Sequence, residues 1–222
     1  MKHNIAFIHA SPAAIPPLMQ FYSGAAPDLR ITNLLDDGLL RLFAGGSFAV
    51  AENRLREMLA AARDVYAAEL AMLTCSAVPR PVLDRLRALT RIPVLKIDEP
   101  MARRAVAMGK RIGVVVTFSP TGELARKLLL DTAAELGREI DLDVEVLPEA
   151  YSALLAGDND THDRLLLAGI QGVAARQVDV VVLAQVSMAR VLARAIAAVS
   201  VPILSSIETS LAAIREAIRR PA

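Results

Sequence analysis

Residues Ile5-Ala-Phe-Ile-His-Ala-Ser-Pro12 read as a buried strand running into a Ser-Pro turn. The chain repeats that reading at Ile112-Gly-Val-Val-Val-Thr-Phe-Ser-Pro120, where Ser119 follows Ser11 by 108 residues. Other landmarks recur at nearly the same distance. Ile31 to Asp36, then Gly45, is answered by Val144 to Glu149, then Gly157. Glu52-Asn-Arg54 is answered by His162-Asp-Arg164, Leu73-Thr-Cys75 by Leu183-Ala-Gln185, and Pro93 to Glu99 by Pro202 to Glu208. Any two strand–helix arrays share an order of elements, but near-constant spacing over five landmarks is the mark of an internal duplication.

Short β-rich runs alternate with longer helical patterns, which predicts α/β architecture with largely parallel sheets. Strands are expected at Ile5–Ile8, Arg30–Leu35, Leu70–Thr74, Pro93–Ile97, Arg111–Thr117, Asp143–Leu147, Val178–Leu183 and Pro202–Ser205. Helices are expected at about 49–68, 82–89 (after Pro79 and Pro81) and 161–176, the last with Thr161 as its cap. The predicted fold is two pseudo-symmetric lobes, each a parallel sheet flanked by helices. Lobe 1 takes residues 1–98 plus a returning C-terminal segment, 205–222; lobe 2 takes 99–204. Parallel α/β sheets bind ligands at the carboxyl ends of their strands. Two such lobes are therefore expected to share a cleft, with Ser11, Asp36 and Cys75 from one and Ser119, Glu149 and Gln185 from the other.

Composition narrows the class. Of 222 residues 54% are apolar and mean hydropathy is +0.41, enough for a large core. The apolar stretch Val180 to Ala189 is far shorter than the roughly 20 residues a membrane helix needs. The N-terminal apolar run is cut by His9 and Pro12 and reads as a strand, not a secretion signal. A soluble, cytoplasmic protein is expected. A net charge of +1, 4% aromatics and no Trp argue against a nucleic-acid binder. The basic cluster Arg103, Arg104, Lys110 and Arg111 can meet an anion, or form a solvated helix end. One cysteine, Cys75, permits no internal disulfide and suits a reducing compartment. His3, His9 and His162 make no metal-ligand spacing with it. Gly45-Gly46 belongs to no GxGxxG, and neither GxxxxGK nor GxSxG occurs. No metal or cofactor is expected.

Cys75 ends an apolar strand and precedes Ser76-Ala-Val-Pro and a helix, whose positive end would favour a thiolate. The alternative is a small buried hydrophobe. Thr74, Ser76, Thr117, Ser119 and Thr121 cluster at the same strand ends. Hydroxyls and free amides at helix starts cradle carboxylate or enolate oxygens, although each residue alone also serves as a helix cap. His9 can act as acid or base, or be a satisfied core residue. Asp36, Asp37 and Glu149 follow strands in turns, and Tyr151 is a candidate cleft wall.

On Ile5-Ala-Phe-Ile-His-Ala-Ser-Pro, Leu-Thr-Cys-Ser at 73–76, Ile-Pro-Val-Leu-Lys-Ile-Asp-Glu-Pro at 92–100, Arg111-Ile-Gly-Val-Val-Val-Thr and Val-Val-Leu-Ala-Gln-Val-Ser-Met at 181–188, the chain resembles the aspartate/glutamate/hydantoin racemase superfamily. The resemblance covers essentially the whole chain. It implies two pseudo-symmetric lobes, no cofactor, a homodimer, and one catalytic cysteine per lobe. Cys75 matches the first cysteine, and the second position falls on Gln185. Val186 and Ser187, next along that segment, join His9, Ser11, Asp36 and the hydroxyls as the expected substrate-binding set. Two-base racemisation needs groups that titrate on both faces of the carbon, and an amide does not. It can donate hydrogen bonds to a carboxylate.

Three readings follow. One is a racemase- or isomerase-like enzyme acting on a small carboxylate, an amino acid or related acid, with Cys75 as acid/base or nucleophile. Another is a single-thiol decarboxylase of the arylmalonate decarboxylase type, in which the retained cysteine is the second one and not the first. The last is a two-lobed small-carboxylate binding protein without catalysis.

Overall fold

The computed structural model describes residues 2–219 and divides the chain into two compact units. One unit runs to Ile97 and resumes at Ser210; the other is Asp98–Thr209. Residues 220–222 of the expected returning segment lie outside the described residues.

The first unit contains β1 (His3–His9), α1 (Ile15–Ala25), β2 (Leu29–Leu35), α2 (Leu39–Ala44), α3 (Phe48–Asp64), β3 (Leu70–Leu73), α4 (Arg80–Leu89) and β4 (Val94–Lys96). Its strands are parallel, in the order β2-β1-β3-β4. The second contains α5 (Glu99–Met108), β5 (Arg111–Val116), α6 (Ser119–Glu135), β6 (Asp141–Val146), α7 (Pro148–Leu155), α8 (Asn159–Ala174), β7 (Val180–Leu183), α9 (Leu192–Ala198) and β8 (Ile203–Ser205). Its parallel strands run β6-β5-β7-β8. The last helix, α10 (Ser206–Arg219), begins in the second unit and from Ser210 belongs to the first.

The two sheets share one register. Ile8 stands opposite Leu34 and Leu73, and Leu73 opposite Lys96. Val115 stands opposite Glu145 and Leu183, and Leu183 opposite Ser205. Strands thus correspond at the spacing read from the sequence, and all eight predicted strands are present. The inner strands Leu70–Leu73 and Val180–Leu183 are wholly buried, because helices cover both faces of a parallel sheet. They therefore appear as unbroken apolar runs. In the first unit Ile8, Leu73 and Val94 pack with Leu55 and Leu59 of α3 and Leu83 and Leu86 of α4. In the second, Val114 and Val182 lie in one cluster with Leu166, Ile170 and Val191. Each such side chain contributes about 1.5–3 kcal/mol on burial.

Helix boundaries differ from expectation by about two residues at the start of α4 and at the end of α8, and more tellingly at the α8 cap and the α3 end. Thr161 is not the cap of α8: the Asp158 carboxylate accepts from the Thr161 backbone N–H at 3.0 Å, and the helix starts at Asn159. A carboxylate is the stronger acceptor at this positive end. Helix α3 ends at Asp64 instead of about residue 68, because Ala67 takes a left-handed φ of 51° and the Ala68 N–H returns to the Ala62 carbonyl at 2.9 Å. The second unit repeats this ending at Gln177, φ 59°. Among the described residues no helix is long and apolar enough to cross a membrane.

Candidate functional site

The strand ends that carry the candidate residues are built alike in the two units. The Thr74 N–H donates to Ile8 O at 3.0 Å, and the Ala184 N–H to Val115 O at 3.2 Å. The Asp36 N–H donates to His9 O at 3.0 Å, and the Leu147 N–H to Val116 O at 2.8 Å. Residues 71–80 and 181–190 even share one burial pattern. Cys75 and Gln185 hold equivalent half-buried positions, each two residues past its strand.

The side chains around them differ. His9 is fully buried, with Nδ1 2.8 Å from the Thr74 hydroxyl and Nε2 2.9 Å from Asn33 Oδ1. The Asn33 amide donates to Met19 Sδ at 2.9 Å, which leaves its oxygen to face the ring. Nε2 therefore carries a proton toward Asn33, while the Thr74 hydroxyl lies between Nδ1 and the Ile8 carbonyl, 3.2 Å away, to which it donates. Burial lowers the His9 pKa, against a smaller upward effect of the Asn33 hydrogen bond. Both ring nitrogens have protein partners, so His9 does not reach a ligand directly. It anchors the residue before Cys75.

Cys75 takes part in no disulfide and packs with the cluster containing Leu73, Val78 and Val82. Ser76, beside it, is half-buried. Helix α4 starts only at Arg80. A helix dipole acts over its first turn, so its expected support of a thiolate does not follow from Cys75's place in the chain. Ser11 uses its Oγ to accept from the Ala13 N–H at 3.3 Å, capping a short 3-10 turn. Asp36 is bound by Arg54 Nε at 2.6 Å and by the Gly38 N–H at 2.9 Å. The Arg54 hydrogen bond holds its carboxyl below the usual range. Asp36 thus closes its own loop.

In the second unit Thr117 is buried, and its backbone N–H and hydroxyl donate to Gln185 Oε1 at 2.6 and 3.0 Å. Two donors saturate that oxygen, so what Gln185 has left to offer is its amide N–H pair. Ser119 opens α6, exposed, and makes no cap bond, unlike Ser11. Thr121 is half-buried, and its backbone N–H donates to Phe118 O at 3.0 Å. Val186 and Ser187 begin the 3-10 segment Val186–Val191, half-buried. Tyr151 of α7 packs on Phe118, ring centroids 5.1 Å apart at 37°. Glu149 is exposed in the first turn of α7. Among the described residues no group of three or more His, Cys, Asp or Glu can hold a metal ion.

Sequence reading passed over Asn33, Phe118 and Lys96. Lys96 is buried at the end of β4, opposite Leu73. Its signal was a lysine inside the apolar run Pro93-Val-Leu-Lys-Ile97. Of the basic cluster, Arg103 pairs with Glu135 at 2.8 Å, and the backbone N–H groups of Lys110 and Arg111 are held by Asp179.

The chain is similar in fold to allantoin racemase from Klebsiella pneumoniae (18% identity, TM-score 0.74, covering 98% of this chain and 88% of that one). It is also similar to aspartate racemase from Picrophilus torridus (12%, 0.71, 100% and 96%). Unliganded arylmalonate decarboxylase shares the fold at 15% identity and TM-score 0.58, with 100% and 95% covered. No curated protein matches the sequence. The family model described as Asp/Glu/hydantoin racemase matches residues 44–214, about three-quarters of the chain. With two parallel four-stranded sheets in one register and cysteine and glutamine at equivalent strand ends, the chain belongs to the Asp/Glu/hydantoin racemase family.

Proposed function

We propose that the protein is a cofactor-independent, isomerase-like enzyme acting on a small carboxylate, with Cys75 as the group that exchanges a proton with the substrate carbon. The observation that carries this reading is the orientation of Gln185. Its oxygen is tied to Thr117, so it turns N–H donors, and no base, toward a ligand. Such donors stabilise a carboxylate and the enediolate that forms from it. Thiolate removal of the α-proton yields a thiol and an enediolate; return of that proton by the thiol restores the substrate, and inversion takes place when water gives a proton to the opposite face. Ser76, Ser119 and Thr121 supply further hydroxyls, while His9 holds Thr74 and so steadies the thiol's attachment.

The test is deuterium uptake at the α-carbon of candidate acids in D2O, followed by NMR. Wild type exchanges the proton; Cys75→Ser does not, with its melting temperature kept. Exchange that persists in the serine variant rejects the reading.

One thiol paired with a neutral amide also favours a second reaction, in which a malonate-type acid loses CO2 and the thiol protonates the resulting enediolate from one side. In D2O that reaction labels a single enantiomer of product, whereas racemisation labels both.

A further inference from the structure

We propose that Lys96 is a positioning residue for proton exchange at Cys75, its buried ammonium holding the sulfur as a thiolate at neutral pH. The inference rests on the reading of Cys75 as the group that exchanges a proton. Helix α4 begins five residues after Cys75, too far along to lend the sulfur its positive end. The positive charge has to come from a side chain, and Lys96 lies in the same unit.

Register brings the two residues together. Ala71 stands opposite Val94, and Leu73 opposite Lys96. Side chains opposite each other in a parallel ladder share a face of the sheet. Leu73 and Val94 both face the cluster that holds Leu83 of α4. Lys96, two residues beyond Val94, continues on that face. So does Cys75, two beyond Leu73, which packs against the same cluster. The Ile97 N–H donates to Leu73 O at 3.0 Å, so the two strands are still joined at this level. From strand spacing and rise, the Cα atoms of such a diagonal pair stand about 8 Å apart, within reach of a lysine's four-carbon stem.

Burial and the internal duplication single out this lysine. Lys96 is 7% exposed and, among the described residues, the one Lys or Arg that is buried. An ammonium out of water favours an anion formed beside it and draws a thiol toward its charged form. Other charged groups of these strand ends are balanced by neighbours, Asp36 by Arg54 and Arg80 by Asp84. His9 turns to Thr74 and Asn33, and the buried Asp98 opens the second unit. In that unit the two matching register positions hold Gln185 and Ser205, the latter opposite Leu183 and 2% exposed. Cation and thiol thus occur together in one unit, hydroxyl and amide in the other. A neutral amide needs no counter-charge, and a thiolate does.

Cys75 is the chain's one cysteine, so the rate of iodoacetamide alkylation against pH titrates it alone. The wild-type midpoint is expected about one unit or more below the free-thiol value of about 8.5. Lys96→Met and Lys96→Gln should raise it by about one unit or more, and Lys96→Arg should keep it low, circular dichroism confirming the fold of each. A lysine with a merely structural role would change the melting temperature, or the alkylation rate at high pH, but not the midpoint. A wild-type midpoint that is not below the free-thiol value overturns the proposal, and a low one that Lys96→Arg keeps supports it even if no neutral variant folds. An unchanged midpoint in folded Lys96→Met also overturns it, the result expected if the ammonium serves only Asp98. Thiol-dependent deuterium uptake with a midpoint indifferent to Lys96 would overturn it and leave the role of Cys75 standing. A low midpoint that depends on Lys96, without such uptake, would support it while removing the catalytic role of Cys75.

Discussion

The side-chain oxygen of Gln185 lies 2.6 Å from the backbone nitrogen of Thr117, joining the ends of β7 and β5. Glu at position 185 can accept the same two hydrogen bonds, so Gln185→Glu is expected to fold with a melting temperature within a few degrees of wild type. It loses the N–H donors and adds a negative charge where we propose that a carboxylate binds. Affinity for phenylacetate should fall at least tenfold, about 1.4 kcal/mol, by titration calorimetry. Undiminished affinity would remove Gln185 from the binding surface.

His9 makes stability depend on pH in a predictable direction. Its folded pKa lies below the unfolded value of about 6.5. Between those values the unfolded chain binds more protons, so stability is full above about 6.5 and is lost as pH falls toward the folded pKa. The urea midpoint of wild type should drop between pH 7.5 and 5.5, and less steeply in His9→Gln. Equal slopes would show that His9 does not titrate in this way.

Ala67 and Gln177 hold left-handed φ angles of 51° and 59°, a conformation that costs an L side chain about 1–2 kcal/mol. Ala67→Gly and Gln177→Gly remove that cost and lose some of the gain to backbone entropy. Each is expected to raise stability by about 0.5 kcal/mol in urea unfolding, and the two to add, since they belong to different units. Loss of stability in both would contradict the strain.

Gly113 in β5 has no room for a side chain: a Cβ there would overlap Val173 of α8 and touch Val178. The overlap is with a β-branched residue in the packed core, which cannot swing aside. Gly113→Ala should cost about 1–3 kcal/mol, whereas Gly172→Ala in α8, where a Cβ meets nothing, should be neutral or stabilising by up to about 1 kcal/mol.

The strands were legible because a parallel sheet covered on both faces demands unbroken apolar runs, and Val180–Leu183 is such a run. The register was legible because the landmarks repeat. The pairing of His9 with Thr74 and Asn33 was not, since those contacts join residues 65 and 24 positions apart and no local pattern encodes them. Asp36 looked like a ligand residue because its partner Arg54 lies 18 residues on, in a helix. Thr161 looked like a cap because it opens the periodic helical pattern, whereas the cap is Asp158, three residues earlier. The strand-end positions of Cys75 and Gln185 could be read from spacing, but the direction in which the Gln185 amide points comes from Thr117, on another strand.

The Tyr22 hydroxyl is bonded to Ser210 at 2.8 Å, and Asp28 to Arg215 at 3.2 Å. The first unit is therefore assembled from two stretches of chain, to Ile97 and from Ser210, whereas the second is the unbroken segment Asp98–Thr209. The unit that carries the thiol is thus closed by residues more than a hundred positions beyond Ile97, and a chain cut near residue 205 would leave Tyr22 without its Ser210 partner.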